Sequence, residues 1–169
     1  MQPNLRTLKS KIIKRYVKMQ IYKTLIRPVV TYESETWILT KSDKNLLRIF
    51  ERKILRRIYG PVQEGDIWRI KNNEELNRSI NREDIVKFIK SQRIRWLGHV
   101  KGIKVGAMPR KSMEGRLFIG RRRGIPHLRW IDDAVADLKV TKIKQWIEKT
   151  KDRQQWRLDD EEAKAHPGL

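Results

Sequence analysis

From Gly115 to Trp130 the chain reads GRLFIGRRRGIPHLRW, and no other stretch restricts its fold as much. It holds Arg116, Arg121, Arg122, Arg123 and Arg129 with three glycines, one proline and no acid. Apolar side chains are too few here to offset the entropy of ordering the segment, which rules it out as core. Gly115, Gly120 and Gly124 leave the backbone free to take positive φ. Pro126 biases Ile125 toward an extended conformation. The expectation is an irregular arginine-bearing loop able to follow a line of phosphates. The chain before it reads as basic helices, and the chain after it as a near-neutral helical tail.

Charge placement agrees with this division. The 40 basic and 20 acidic residues of the 169 give a net charge of +20. Residues 1–60 contribute +11, residues 61–100 +2, residues 101–130 +8 and residues 131–169 −1. An excess of this size points to a polyanionic partner, most often nucleic acid. A charge that only keeps the chain in solution would not need to fall in two blocks. The apolar fraction of 38% suffices for a modest core, in one domain or two small lobes. With no cysteine, disulfides and thiolate metal sites are excluded. His99, His127 and His166 lie too far apart for ligand spacing, so no metal and no other cofactor is expected. No apolar run approaches the ~20 residues of a membrane span, and no signal-peptide core opens the chain. An intracellular protein, nuclear or cytoplasmic, with no membrane partner and no small-molecule substrate is expected.

Apolar periodicity predicts a mainly α fold. Leu5, Leu8, Ile12, Tyr16 and Met19 recur at steps of three and four, with Asn4 as cap and Lys11, Lys14, Arg15 and Lys18 off the stripe. This helix should reach Ile26 or Arg27 and end or kink at Pro28. Residues 29–39 suit a strand or a continued helix, and helix is preferred. Thr40 to Asp43 signals a second helix, with Leu46, Leu47, Phe50, Ile54 and Ile58 on one face and Arg48, Arg52 and Arg56 along another. Glu51 is expected between those arginines on the solvated side, and Gly60-Pro61 to stop the helix. Residues 61–79 read as a loop with at most one short element. Asn81 and Asp84 signal a helix carrying Ile85, Phe88, Ile89, Trp96 and Val100, with His99 half-buried beside them and an end near Gly102. Residues 101–112 should be irregular. A further helix carries Trp130, Ile131, Ala134, Val135 and Leu138, with Pro126 at its start, and a last helical region spans 141–165. The expected organisation is a helical region over 1–60, a linker and helix over 61–114, the arginine loop over 115–130 and a helical tail over 131–169.

Catalytic constellations are not evident. Asp132 and Asp133 are neighbours and diverge on a helix, whereas Asp133 and Asp137 share a face and read as a solvated flank. Asp159 to Glu162 with Lys164 lacks the upstream aspartate of a nuclease. No Gly-rich nucleotide loop or nucleophile turn is present. Binding is better supported: of the six tryptophans, Trp96, Trp130 and Trp146 fit packed faces, while Trp68 beside Arg69 and Lys71 can stack on a base.

Several motifs in one order then resemble a known family. YKTLIRPVVTYESETW (Tyr22 to Trp37), FERKILRRIYGPV (Phe50 to Val62), IKSQRIRWLGHV (Ile89 to Val100), GRRRGIPHLRWIDD (Gly120 to Asp133), DRQQW (Asp152 to Trp156) and EEAKAHPGL (Glu161 to Leu169) are similar to the region following the polymerase core of non-LTR (LINE-type) retrotransposon reverse transcriptases. The resemblance implies a bundle-like helical thumb and a helical C-terminal extension that hold template RNA and primer DNA. It also implies a fragment without the palm aspartates or the N-terminal endonuclease, hence not an enzyme on its own. Two departures stand out: Glu33 replaces a glycine of TYGSETW, and Ile125 and His127 replace arginines of the loop. The resulting expectation is RNA or DNA binding through phosphates by Arg116, Arg121, Arg122, Arg123, Arg129, Arg48, Arg52 and Arg56, with Trp68. The alternatives are a module docking on a reverse transcriptase palm and the inert product of a decayed element.

Overall fold

A computed structural model describes residues 8–81, 83–115 and 129–166. Helices dominate, and among the described residues the strands are confined to one two-stranded hairpin, so the fold is mainly α as expected. The chain divides into two compact units, Met1–Glu33 with Leu39–Val86, and Ser34–Ile38 with Lys87–Leu169.

In the first unit, α1 (Arg15–Ile21) runs through a π-turn (Tyr22–Ile26) into α2 (Arg27–Val30). Pro28 therefore does not end the helix. It has no N–H to give to an i−4 carbonyl, and it sits in the first turn after the backbone has already left the α hydrogen-bond register. The expected stripe is also rotated. Ile12 and Tyr16 are 94% and 71% exposed, whereas Lys18, Tyr22 and Ile26 are buried. Steps of three and four pass through both sets, and burial of the large Tyr22 ring selects the second. Asn4 and Leu5 lie outside the described residues. The helix ends at Val30, and a 3-10 turn occupies Ser34–Thr36 in place of the preferred longer helix.

The second helix forms where its cap predicts. In α3 (Lys41–Tyr59), the Asp43 backbone N–H donates to the Thr40 hydroxyl and the Asp43 side chain accepts from the Thr40 backbone N–H. Gly60, at φ +70°, closes it. Ile54, Leu55 and Ile58 are buried, while Leu46 is 62% exposed. Leu8, Tyr22, Ile26, Ile54 and Ile58 form one cluster, and Leu55, Leu76 and Ile80 form another, with Met19 and Tyr59 packed against both.

Residues 61–79 hold more structure than expected. Strands β1 (Val62–Glu64) and β2 (Ile67–Arg69) pair antiparallel, turning at Gly65 with φ +61°. Helix α4 (Asn73–Ser79) follows, with a second capping box between Asn72 and Glu75. Three-residue strands are too short to show a period, so polarity alone misreads them as loop.

Helix α5 (Ile85–Gly102) starts later than its expected cap. Asn81 instead takes a left-handed conformation at φ +53°. In the second unit Ile94 and Leu97 of α5 pack with Ala134 and Leu138 of α7 (Trp130–Val140) and with Trp156 and Ala163 of α9 (Arg153–Ala165). Full burial of one such aliphatic side chain contributes about 1.5–3 kcal/mol. Gly98, which reads as a weakness in the helix, is a packing device: a Cβ there would run into the Trp156 indole. Residues 101–112 are not irregular throughout, since α6 (Met108–Glu114) begins there with Pro109 in its first turn. The last helical region is split into α8 (Trp146–Lys149) and α9. Gln145, the N-cap of α8, adopts a left-handed conformation with φ +52°.

Candidate nucleic-acid interface

Interior polar groups decide which charges remain for a ligand. Glu51 does not join the arginines at the surface: it is 2% exposed. Its Oε1 accepts from the Tyr22 hydroxyl at 2.6 Å, and its Oε2 accepts from the Ile85 backbone N–H at 2.9 Å. The carboxylate of α3 thus caps α5 from a distance, which neither helix reveals in isolation. Burial pushes the Glu51 pKa up, against the lowering effect of those two hydrogen bonds. Tyr22 is pushed up as well, first by burial and then by the Glu51 charge.

In the second unit Arg93 is fully buried. Its Nη1 donates to Asp133 at 2.7 Å, and its Nη2 donates to Asp137. Asp137 also pairs with Lys90 at 3.0 Å. The Asp133–Asp137 face is therefore not a solvated flank: it neutralises an arginine of α5. Trp130 donates its indole N–H to the Glu35 carbonyl at 2.6 Å, which ties the start of α7 to the 34–38 segment. His99 is exposed rather than half-buried, with its ring 5.1 Å from that of Trp96.

The predicted binding residues fare unequally. Arg116, Arg121, Arg122 and Arg123 lie outside the described residues. Arg129 is exposed at the N-cap of α7, where no side chain caps the helix. Along α3, Arg48 is paired with Asp84 at 2.9 Å. Arg56 donates to the neutral Asn73 side chain at 2.8 Å and has no carboxylate partner among the described residues. Half-buried Arg52 has no ion pair among the described residues. Trp68 is 65% exposed on β2, opposite Gln63. Its neighbour Arg69 is not available to a phosphate, because it pairs with Glu64 and forms a two-pronged contact with Glu75 at 2.7 and 2.9 Å. That contact, with the Asn72 backbone N–H, lowers the Glu75 pKa to about 2 and pins the hairpin to α4.

Two cations that sequence reasoning left unassigned meet at Tyr59. The Arg15 guanidinium lies 5.4 Å from the ring centroid and the Lys71 ammonium 5.2 Å from it. No local spacing links positions 15, 59 and 71, so only the fold reveals this group. Among the described residues, no cluster of three or more His, Cys, Asp or Glu side chains could hold a metal ion. No helix among them is long and apolar enough to cross a membrane.

Comparison with known proteins relates the chain to mobile-element sequence. It is 26% identical over 151 residues to an uncharacterized transposon-derived protein of Caenorhabditis elegans, an overlap covering 86% of this chain. The chain spans about half of that relative's length, 54%. No protein-family model matches, and no solved structure matches.

Proposed function

We propose that this chain is the thumb-like and C-terminal part of a non-LTR retrotransposon reverse transcriptase, and that it holds RNA or DNA through phosphate contacts while polymerisation belongs to the palm of such an enzyme. The observation that carries the binding reading is the supply of cations without a carboxylate partner among the described residues, Arg52, Arg56 and Arg129 in particular. The arginine loop adds to them by sequence. The ordered motifs and the transposon-derived relative support the origin. Binding should weaken steeply with salt, with a log–log slope of about −4 to −7 if roughly 5–8 phosphates are neutralised. Fluorescence anisotropy of a labelled RNA and its DNA counterpart across a salt series tests this, and a flat profile overturns it. Primer extension with Mg²⁺ should give no product from the chain alone.

A second reading is supported by Ile12, Tyr16, Leu25, Val29 and Tyr32, which are 94%, 71%, 63%, 76% and 72% exposed. In that reading this apolar surface docks on a reverse transcriptase palm. Leu25→Ser with Val29→Ser should then abolish co-sedimentation with a palm-containing polypeptide while leaving anisotropy with RNA unchanged.

A further inference from the structure

We infer that Arg15 and Lys71, both set against the Tyr59 ring, form with Arg56, one turn earlier on α3, a defined phosphate-binding site for a nucleic-acid strand, separate from the arginine loop. The inference rests on the nucleic-acid reading above and names one site within it. The three cations come from α1, α3 and the segment between β2 and α4, so only folding brings them together. Arg15 and Lys71 share one ring, so their charges lie within about 11 Å of each other. No carboxylate pairs with any of the three among the described residues. Arg56 donates to the neutral Asn73 side-chain oxygen, and the nearby Glu75 is engaged by Arg69.

Several unpaired like charges held close together repel one another, and an anion relieves that repulsion. The ring that gathers them is itself fixed. The Tyr59 hydroxyl donates to the Ser79 carbonyl at 2.8 Å, and its body packs against both apolar clusters of the first unit. Tyr59 is thus a positioning residue: its ring anchors both cation heads through cation–π attraction, which leaves their N–H groups able to donate to an anion. A phosphodiester strand suits such a group, because its phosphates present a line of acceptor oxygens to guanidinium and ammonium donors.

The test compares the wild-type chain with Arg15→Gln/Lys71→Gln and with a control, Lys104→Gln/Lys144→Gln, whose side chains are exposed in the second unit. Affinity for a labelled single-stranded RNA is measured across a salt series. The Arg15/Lys71 pair should lower affinity at least tenfold at low salt and flatten the log–log slope by about 2. The control pair should change affinity less than threefold. Equal effects of the two pairs, or none from the first, overturn the site and leave the broader binding reading standing. Absence of salt-dependent binding by the wild-type chain overturns both. Lysine footprinting of the wild-type protein keeps the test valid if the first variant fails to fold: RNA should protect Lys71 from acylation more strongly than Lys104. Equal protection of the two lysines counts against the site.

Discussion

Each unit buries an ionisable side chain between helices, and the two do so in opposite ways. In the first, the Glu51 carboxylate faces two neutral donors, the Tyr22 hydroxyl and the Ile85 N–H. In the second, the Arg93 guanidinium faces two carboxylates, Asp133 and Asp137. A carboxylate with neutral donors keeps an option the arginine lacks, since it can take up a proton and lose its charge. Arginine stays charged at any ordinary pH, so its anions are obligatory. The first arrangement should therefore respond to pH and tolerate neutral replacement. The second should fail abruptly when any one member is removed.

The sharpest way to break this contrast is Arg93→Met. The side chain is of similar length, but Asp133 and Asp137 lose their shared cation in a site where Arg93 itself is 0% exposed. Removing one member of a buried ion pair costs about 3–5 kcal/mol, readable in urea melts. Adding Asp133→Asn should recover part of the loss, because Asp137 keeps Lys90 as its partner and no unpaired carboxylate then remains. If the double variant is no more stable than Arg93→Met, the pairing account fails.

Glu51 should give the next largest effect. Glu51→Leu leaves two donors without an acceptor, at about 1–3 kcal/mol for each. Glu51→Gln should be milder, since its amide can serve both the Ile85 N–H and the Tyr22 oxygen. The sign with pH follows from the raised pKa of the folded state. The folded chain holds this proton more tightly than the unfolded chain. Its contribution is complete below the ordinary value of 4.5 and is lost as pH rises through the folded value. The stability of the wild type minus that of Glu51→Gln should thus fall as pH rises above 4.5. A constant difference would show that Glu51 keeps its charge through burial. Taking the difference also cancels the opposite trend of Glu75 and Glu83, whose lowered values weaken the fold only as pH drops.

Gly98→Ala should cost about 1–3 kcal/mol through collision with the Trp156 indole, even though alanine favours a helix by roughly 1 kcal/mol. A Trp156→Leu background should reverse the sign, which a mere helix-propensity effect would not do.

These sites also mark how far the sequence could be read. The Thr40–Asp43 cap and the Gly60 stop are local chemistry, and they were legible. So was the mainly α class, from apolar spacing. The apolar face of Trp130, Ala134 and Leu138 was legible too, but its helix begins at Trp130 after an extended Arg129, not at the expected Pro126. Glu51 was misplaced because its partners are 29 and 34 residues away in sequence. Asp133 and Asp137 were misread because Arg93 lies 40 and 44 residues from them. The candidate interface was legible as composition but not as geometry. The arginine spacing along α3 was visible, yet nothing local told Arg48, held by Asp84, from Arg56, which has no carboxylate partner among the described residues. The gathering of Arg15 and Lys71 on Tyr59 left no sequence signal.

The smallest expected effect bears most directly on function. In the first unit α3 and α4 begin with full capping boxes. In the second, α7 begins at Arg129, in an extended N-cap conformation with φ −87° and ψ +141° and without a side-chain cap. An arginine there supplies no acceptor to the free N–H groups and sets a positive charge against the positive end of the helix dipole. Serine fits the same backbone and can accept from the first turn. Arg129→Ser should therefore stabilise the second unit by about 0.5–1 kcal/mol while weakening nucleic-acid binding and flattening its salt slope by about 1. Opposite changes in stability and affinity from one substitution would identify Arg129 as a cation kept for a ligand at a cost to its helix. A variant that gains stability with unchanged affinity would remove Arg129 from the interface, leaving the binding charge to the cations of the first unit and the loop before it.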